Sequence, residues 1–106
     1  MRAIQIRTFG GPEVLEVREI DRPEPQPGEV LVKVYAASVN PVDWKIRKGG
    51  YPAVKETDLP MVPGRDMAGE VVGLGDSVGK FSVGDQVYAF LDVKHGGYEE
   101  YVVVQE

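Results

Sequence analysis

Side chains able to do chemistry are few and scattered in this chain of 106 residues. His95 is the single histidine and lies in the polar, glycine-rich stretch Val93-Lys94-His95-Gly96-Gly97. A general base needs an orienting partner and a pocket; the sequence offers neither, and His95 reads as an exposed loop residue. Zinc centres draw on several Cys or His ligands, so one His and no Cys do not make one. Arg65 and Asp66 adjoin in Met61-Val62-Pro63-Gly64-Arg65-Asp66-Met67-Ala68-Gly69, where Pro-Gly suggests a constrained bend and an ion pair or turn hydrogen bond is expected. Gly73-Leu74-Gly75-Asp76-Ser77-Val78-Gly79 looks superficially like a phosphate-cradling loop. Such a loop must open a helix within a strand-helix-strand unit, whereas Lys80 to Asp85 run into another turn and strand, so a plain turn is expected. Trp44 reads as a core or domain-interface aromatic rather than a stacking platform.

The elements that would position these residues are mostly strands, because alternation with period 2 dominates the apolar pattern. Residues 2–8 and 14–20 form two strands around Phe9-Gly10-Gly11-Pro12 and are expected to pair as an antiparallel hairpin. Asp21 to Gly28, with prolines at 23, 25 and 27, is a stiff extended connector. Residues 29–38 are the clearest strand, with Val30, Val32, Val34 and Ala36 on one face, and should sit centrally. Further strands are expected at 68–72, 86–91 and 98–104, with glycine-rich turns at 73–79 and 94–97. One helix is expected at 41–48, where Asn40 can cap, Pro41 suits the first turn and Asp43 complements the dipole. Gly49-Gly50 would end it. The fold class is mainly β, a barrel or sandwich with one or two short helices.

Composition excludes several classes of partner. Twelve Lys and Arg against 17 Asp and Glu give a net charge of −5, which repels phosphate backbones. The one basic cluster, Lys45, Arg47 and Lys48, reads as a solvated face without interleaved aromatics, so no nucleic acid is expected. No apolar run approaches the roughly 20 residues that cross a bilayer, and the start lacks a signal-peptide pattern. No membrane association and a cytoplasmic location are expected.

Taken together, Phe9-Gly10-Gly11-Pro12-Glu13-Val14-Leu15, Asn40-Pro41-Val42-Asp43-Trp44, Arg47-Lys48-Gly49-Gly50-Tyr51, Pro63-Gly64-Arg65-Asp66-Met67-Ala68-Gly69-Glu70-Val71, Val83-Gly84-Asp85-Gln86-Val87-Tyr88 and Gly96-Gly97-Tyr98-Glu99-Glu100-Tyr101 resemble the medium-chain dehydrogenase/reductase superfamily. Within it, the chain is most similar to the zinc-free, NADPH-dependent quinone oxidoreductase (zeta-crystallin-like) branch. The resemblance covers essentially the whole chain. It implies that residues 1–106 form a GroES-like, partly open β-barrel, the alcohol dehydrogenase N-terminal domain. The Rossmann domain that would bind most of the NADPH is absent from this chain.

The same resemblance places a zinc-ligating Cys of related alcohol dehydrogenases at Asn40, a ligating His at Arg65 and the following Glu at Asp66. No zinc is therefore expected, and without a Lewis acid alcohol oxidation is disfavoured. The implied reaction is reduction of a quinone or other conjugated carbonyl by hydride transfer from NADPH, with hydrogen-bond donors stabilising charge on the acceptor's oxygen. Asn40 and Tyr51 are the site candidates this implies. Asn40 would help orient the nicotinamide, although capping explains it equally well. Tyr51 would contact NADPH or donate from its phenol, against the plainer reading of a turn tyrosine. The resemblance further implies a homodimer for the full-length enzyme, and a monomeric, inactive fragment. A rival reading from another class is a non-enzymatic, co-chaperonin-type β-barrel, in which the Asn-Pro-Val-Asp and Pro-Gly-Arg-Asp segments have no task.

Overall fold

The computed structural model describes residues 1–106. Six strands are present: β1 (Arg2–Ile6), β2 (Leu15–Glu19), β3 (Glu29–Ala36), β4 (Asp66–Leu74), β5 (Gln86–Phe90) and β6 (Tyr101–Gln105). A single α-helix, α1 (Pro41–Lys48), follows β3, and short 3₁₀ turns occur at Pro12–Val14 and Glu56–Asp58. No helix is long and apolar enough to cross a membrane.

β1 and β2 pair antiparallel as a separate two-stranded ribbon, with Ile4 opposite Val17. The other four strands form an antiparallel sheet in the order β5-β4-β3-β6, so β3 is central as its continuous apolar run requires. Single bridges, Ala3 to Glu99 and Ile6 to Met61, join the ribbon to the segments that lead into β6 and β4. The result is a mainly β, partly open barrel of two sheets, as the sequence led us to expect.

Two apolar clusters hold these pieces. Val30, Val32, Met67, Val71, Leu91 and Val102 are buried along the inner face of the large sheet. Ile6, Ile46, Val54 and Met61 clamp α1 against β1 and the loop after the helix. A fully buried Val or Ile contributes about 1.5–3 kcal/mol, and Ile6, Ile46, Val32, Val71 and Val102 are all enclosed to this degree.

The helix occupies the expected 41–48, and Gly49 and Gly50 leave it at positive φ. Every strand differs from its expected limits by one to three residues, with β1, β2, β3 and β5 ending earlier and β4 and β6 later; two of the shifted starts have a clear cause. β4 begins at Asp66 rather than 68, because Asp66 already pairs with Phe90 of β5. β6 begins at Tyr101 rather than 98, because the preceding segment bonds to β1: the Ile4 N–H donates to the Tyr98 carbonyl at 2.8 Å. Trp44 is 47% exposed, which removes the core reading and leaves it on the outer face of α1.

Candidate functional site

The densest polar constellation lies where the β3–α1 connection, the start of β4 and the segment before β6 converge. Asp66 is its hub. Its Oδ1 accepts the Ser38 backbone N–H at 2.9 Å, and its Oδ2 accepts the Ser38 hydroxyl at 2.5 Å and the Asn40 Nδ2–H at 3.1 Å. The Ser38 hydroxyl, the Ser38 backbone N–H and the Asn40 amide hold the Asp66 carboxyl below its ordinary pKa. The expected Arg65–Asp66 contact does not form. Successive residues of an extended chain project in opposite directions, so Asp66 turns toward residues 38 and 40 while Arg65 turns away from them.

Asn40 takes the N-cap position of α1 in extended conformation and forms a capping box with Asp43, whose Oδ2 accepts the Asn40 N–H at 2.8 Å. Asp43 is only 6% exposed. Its Oδ2 also accepts the Tyr98 hydroxyl at 3.0 Å, and that hydroxyl lies 3.3 Å from the Ser38 carbonyl. The Asp43 Oδ1 has no hydrogen-bond partner. Burial, reinforced by the Asp43 carboxyl, pushes the Tyr98 phenol up to about 12.

Backbone geometry fixes this arrangement. Gly64 has φ of +105°, a region that strains residues bearing a Cβ, and it turns the chain into Arg65 and Asp66. Gly96 packs against the same bend, where a Cβ would strike the Pro63 carbonyl. Pro-Gly and Gly-Gly thus interlock, and the Gly96 N–H donates to the Val62 carbonyl at 3.0 Å.

Arg65 reaches across β5. Its Nε donates to the Leu91 carbonyl at 3.1 Å, and its guanidinium carbon lies 4.5 Å from the Phe90 ring centroid. Tyr51 lies beyond the other end of α1. Its ring packs against the cluster around Ile6 and Ile46, and its hydroxyl takes part in none of the chain's side-chain hydrogen bonds. Asn40 and Tyr51 therefore stand beyond opposite ends of an eight-residue helix, itself roughly 12 Å long. Lys94 pairs with Asp58 at 3.2 Å, and the neighbouring His95 is exposed.

No three His, Cys, Asp or Glu side chains are grouped to hold a metal ion, and the Asp66 oxygens are engaged by Ser38 and Asn40. Gly73–Gly79 is the end of β4 and the turn that follows it toward the antiparallel β5, and it opens no helix as a dinucleotide phosphate cradle would. Ser38, Tyr98 and Phe90 are the residues that sequence reasoning missed. Their partners lie 24 to 60 positions away, and the one local signal was Tyr98's place beside Gly96-Gly97.

The model of the alcohol dehydrogenase GroES-like domain family matches residues 26–106. A quinone oxidoreductase of Rattus norvegicus is 45% identical over 104 residues, covering 97% of this chain and 31% of its own length. The quinone oxidoreductase from Coxiella burnetii superposes with a TM-score of 0.94 at 38% identity, over 99% of this chain and 34% of that one. A mycobacterial protein complexed with NADPH superposes with a TM-score of 0.83 at 34% identity, over 99% of this chain and 31% of that one. The chain thus spans about a third of the length of these relatives.

Proposed function

Because the chain belongs to the alcohol dehydrogenase GroES-like domain family, within the medium-chain dehydrogenase/reductase superfamily, we propose that it is the acceptor-side domain of a zinc-independent, NADPH-dependent oxidoreductase. The substrates are quinones or other conjugated carbonyls. A Rossmann domain outside this chain holds most of the NADPH, and the complete enzyme is a cytoplasmic homodimer. When bound, NADPH supplies the hydride.

The observation that carries this reading is the hydrogen-bond set of Asp66, Ser38 and Asn40, in which Asn40 stands where the resemblance puts a Cys ligand of related enzymes and Asp66 where it puts the Glu after their His ligand. Asp66 spends its lone pairs on the chain's own donors, which gives the Asn40 amide one orientation. Asn40 then acts toward the nicotinamide as a positioned carboxamide. Tyr51 contributes a phenol free of intramolecular partners, able to donate to the cofactor or to the acceptor's oxygen. Fixed donors in a dry cleft stabilise charge that develops on that oxygen without reorganisation during the reaction.

Joined to its nucleotide-binding domain, the protein should oxidise NADPH with 9,10-phenanthrenequinone or trans-2-hexenal and retain that rate in 1,10-phenanthroline. The 106-residue chain alone should show neither turnover nor tight NADPH binding. Alcohol oxidation abolished by the chelator, or turnover by the chain alone, would overturn the reading. Tyr51→Phe should slow reduction at saturating NADPH; an unchanged rate removes the donor role, and fluorescence titration of NADPH tests the cofactor contact separately.

A further inference from the structure

Arg65 is the side chain near the site whose charge the fold leaves unanswered. It is half-buried, makes one hydrogen bond through Nε, and its Nη groups have no partner within the chain. The four ion pairs of the structure all involve other residues. A guanidinium carries five donors in a planar fork suited to carboxylate, phosphate or other oxyanions, and most of that capacity is unspent here. Arg47, at the far end of α1, is likewise half-buried with a single Nε bond, to the Gly10 carbonyl; Arg65 differs in lying beside the Asp66 cluster and over an exposed aromatic ring.

Arg65 does not stand alone. The ring it covers, Phe90, is 75% exposed, and Tyr88, two residues earlier on the edge strand β5, is 89% exposed. Side chains two apart on a strand share a face, and Tyr88 stands opposite Ala68, whose methyl leaves the surface between them low. Phe90 stands opposite Asp66 in register, so this aromatic shelf begins one strand spacing, about 4.8 Å, from the Asp66 cluster.

We propose that Arg65, Phe90 and Tyr88 form a subsite for a planar conjugated ring bearing an anionic oxygen, the ring resting on the two aromatics and the oxygen held by the Arg65 Nη donors. This rests on the acceptor-side reading and narrows it, since a conjugated carbonyl acquires that oxyanion character once hydride has been added.

Binding to the 106-residue chain tests this without turnover. Two-dimensional NMR titrations with 2-naphthoate and with the uncharged isostere 2-naphthamide should both shift resonances at Tyr88 and Phe90, and naphthoate alone should shift the Arg65 Nε–H. Naphthoate should bind at least 5-fold more tightly than naphthamide. Arg65→Gln should erase that ratio, Arg65→Lys should keep part of it, and Phe90→Ala should weaken both probes. Equal affinities in the parent chain, shifts confined to Lys45, Arg47 and Lys48, or an unchanged ratio in Arg65→Gln would overturn the subsite. If Arg65→Gln fails to fold, raising NaCl from 20 to 300 mM decides: naphthoate affinity in the parent must fall while naphthamide affinity holds, and equal responses overturn the proposal. Discrimination by a chain whose complete enzyme fails to reduce conjugated carbonyls would overturn the reductase reading and leave the subsite standing.

Discussion

Removing the Asp43 carboxyl should unfasten the site and the helix together. In Asp43→Ala the first turn of α1 loses the acceptor that receives the Asn40 N–H at 2.8 Å, a cap contact of roughly 1 kcal/mol. The Tyr98 hydroxyl loses a 3.0 Å bond to a charged acceptor and keeps only its 3.3 Å contact with the Ser38 carbonyl; such bonds contribute about 1.5–3 kcal/mol. Two effects oppose this loss. Alanine suits a helix better than aspartate by roughly 0.5 kcal/mol, and the unpartnered Oδ1 is no longer buried, a relief of about 1 kcal/mol. The net cost is about 2 kcal/mol, or a fall in Tm of about 10 °C for a domain of this size. Urea denaturation followed by far-UV circular dichroism measures it. Tyr98→Phe alone should cost about 1.5–3 kcal/mol, and because both substitutions remove the same bond the double variant should cost less than their sum by about that amount. An Asp43→Ala chain within 0.5 kcal/mol of the parent, or strict additivity with Tyr98→Phe, would refute this account of the site.

Burial pushes the Glu99 carboxyl up to about 7 from its ordinary 4.5, so its charged form is disfavoured in the fold. Stability is full below pH 4.5 and lost between there and pH 7, on the order of 2–3 kcal/mol by linkage; Glu99→Gln should therefore raise the urea midpoint at pH 8 and leave it nearly unchanged at pH 4. Tyr98 has the same sign at alkaline pH: its contribution is complete below pH 10 and disappears toward pH 12. Tyr35, hydrogen-bonded to Glu70, is also raised, so ultraviolet absorbance should show late titration from two of the five tyrosines, and Tyr98→Phe should remove only the part near pH 12. Gly69→Ala places a Cβ against the Lys33 carbonyl of β3 and should cost at least about 3 kcal/mol. Gly50→Ala, with φ of +85° but nothing within 4 Å, should cost only about 1 kcal/mol, and thermal denaturation of the two variants tests the contrast.

How much of this could be read from the sequence depended on the range of the interaction. Helix α1 is legible because Asn40-Pro41 and Gly49-Gly50 are local signals, and the observed limits match them. The start of β4 and the start of β6 are set by partners far along the chain, Phe90 for one and β1 for the other, which no window of a dozen residues contains. The site divides in the same way. Asn40 was found through its neighbours and its motif, whereas the bonds of Asp66 to Ser38 and of Tyr98 to Asp43 cross 28 and 55 positions. Sequence adjacency pointed Asp66 at Arg65, and the alternation of an extended strand separates those two.

An accounting of donors then redistributes the roles. The Asn40 Nδ2 serves Asp66 and Ser38, and the Ser38 hydroxyl and Tyr98 hydroxyl are each directed at a carboxylate. A buried carboxylate deprived of its donor costs more than a typical bond returns, so these groups are held in place rather than lent to a ligand. Among the residues assigned to the site, the donors without a partner are the Tyr51 hydroxyl and the Arg65 Nη groups. In the proposed reaction Asn40 therefore orients, through a carboxamide clamped by Asp66, while hydrogen bonding to the acceptor's oxygen falls to Tyr51 or Arg65. The two are separable by pH and salt: a phenol donates without regard to ionic strength, and a guanidinium's hold on an oxyanion weakens as salt rises.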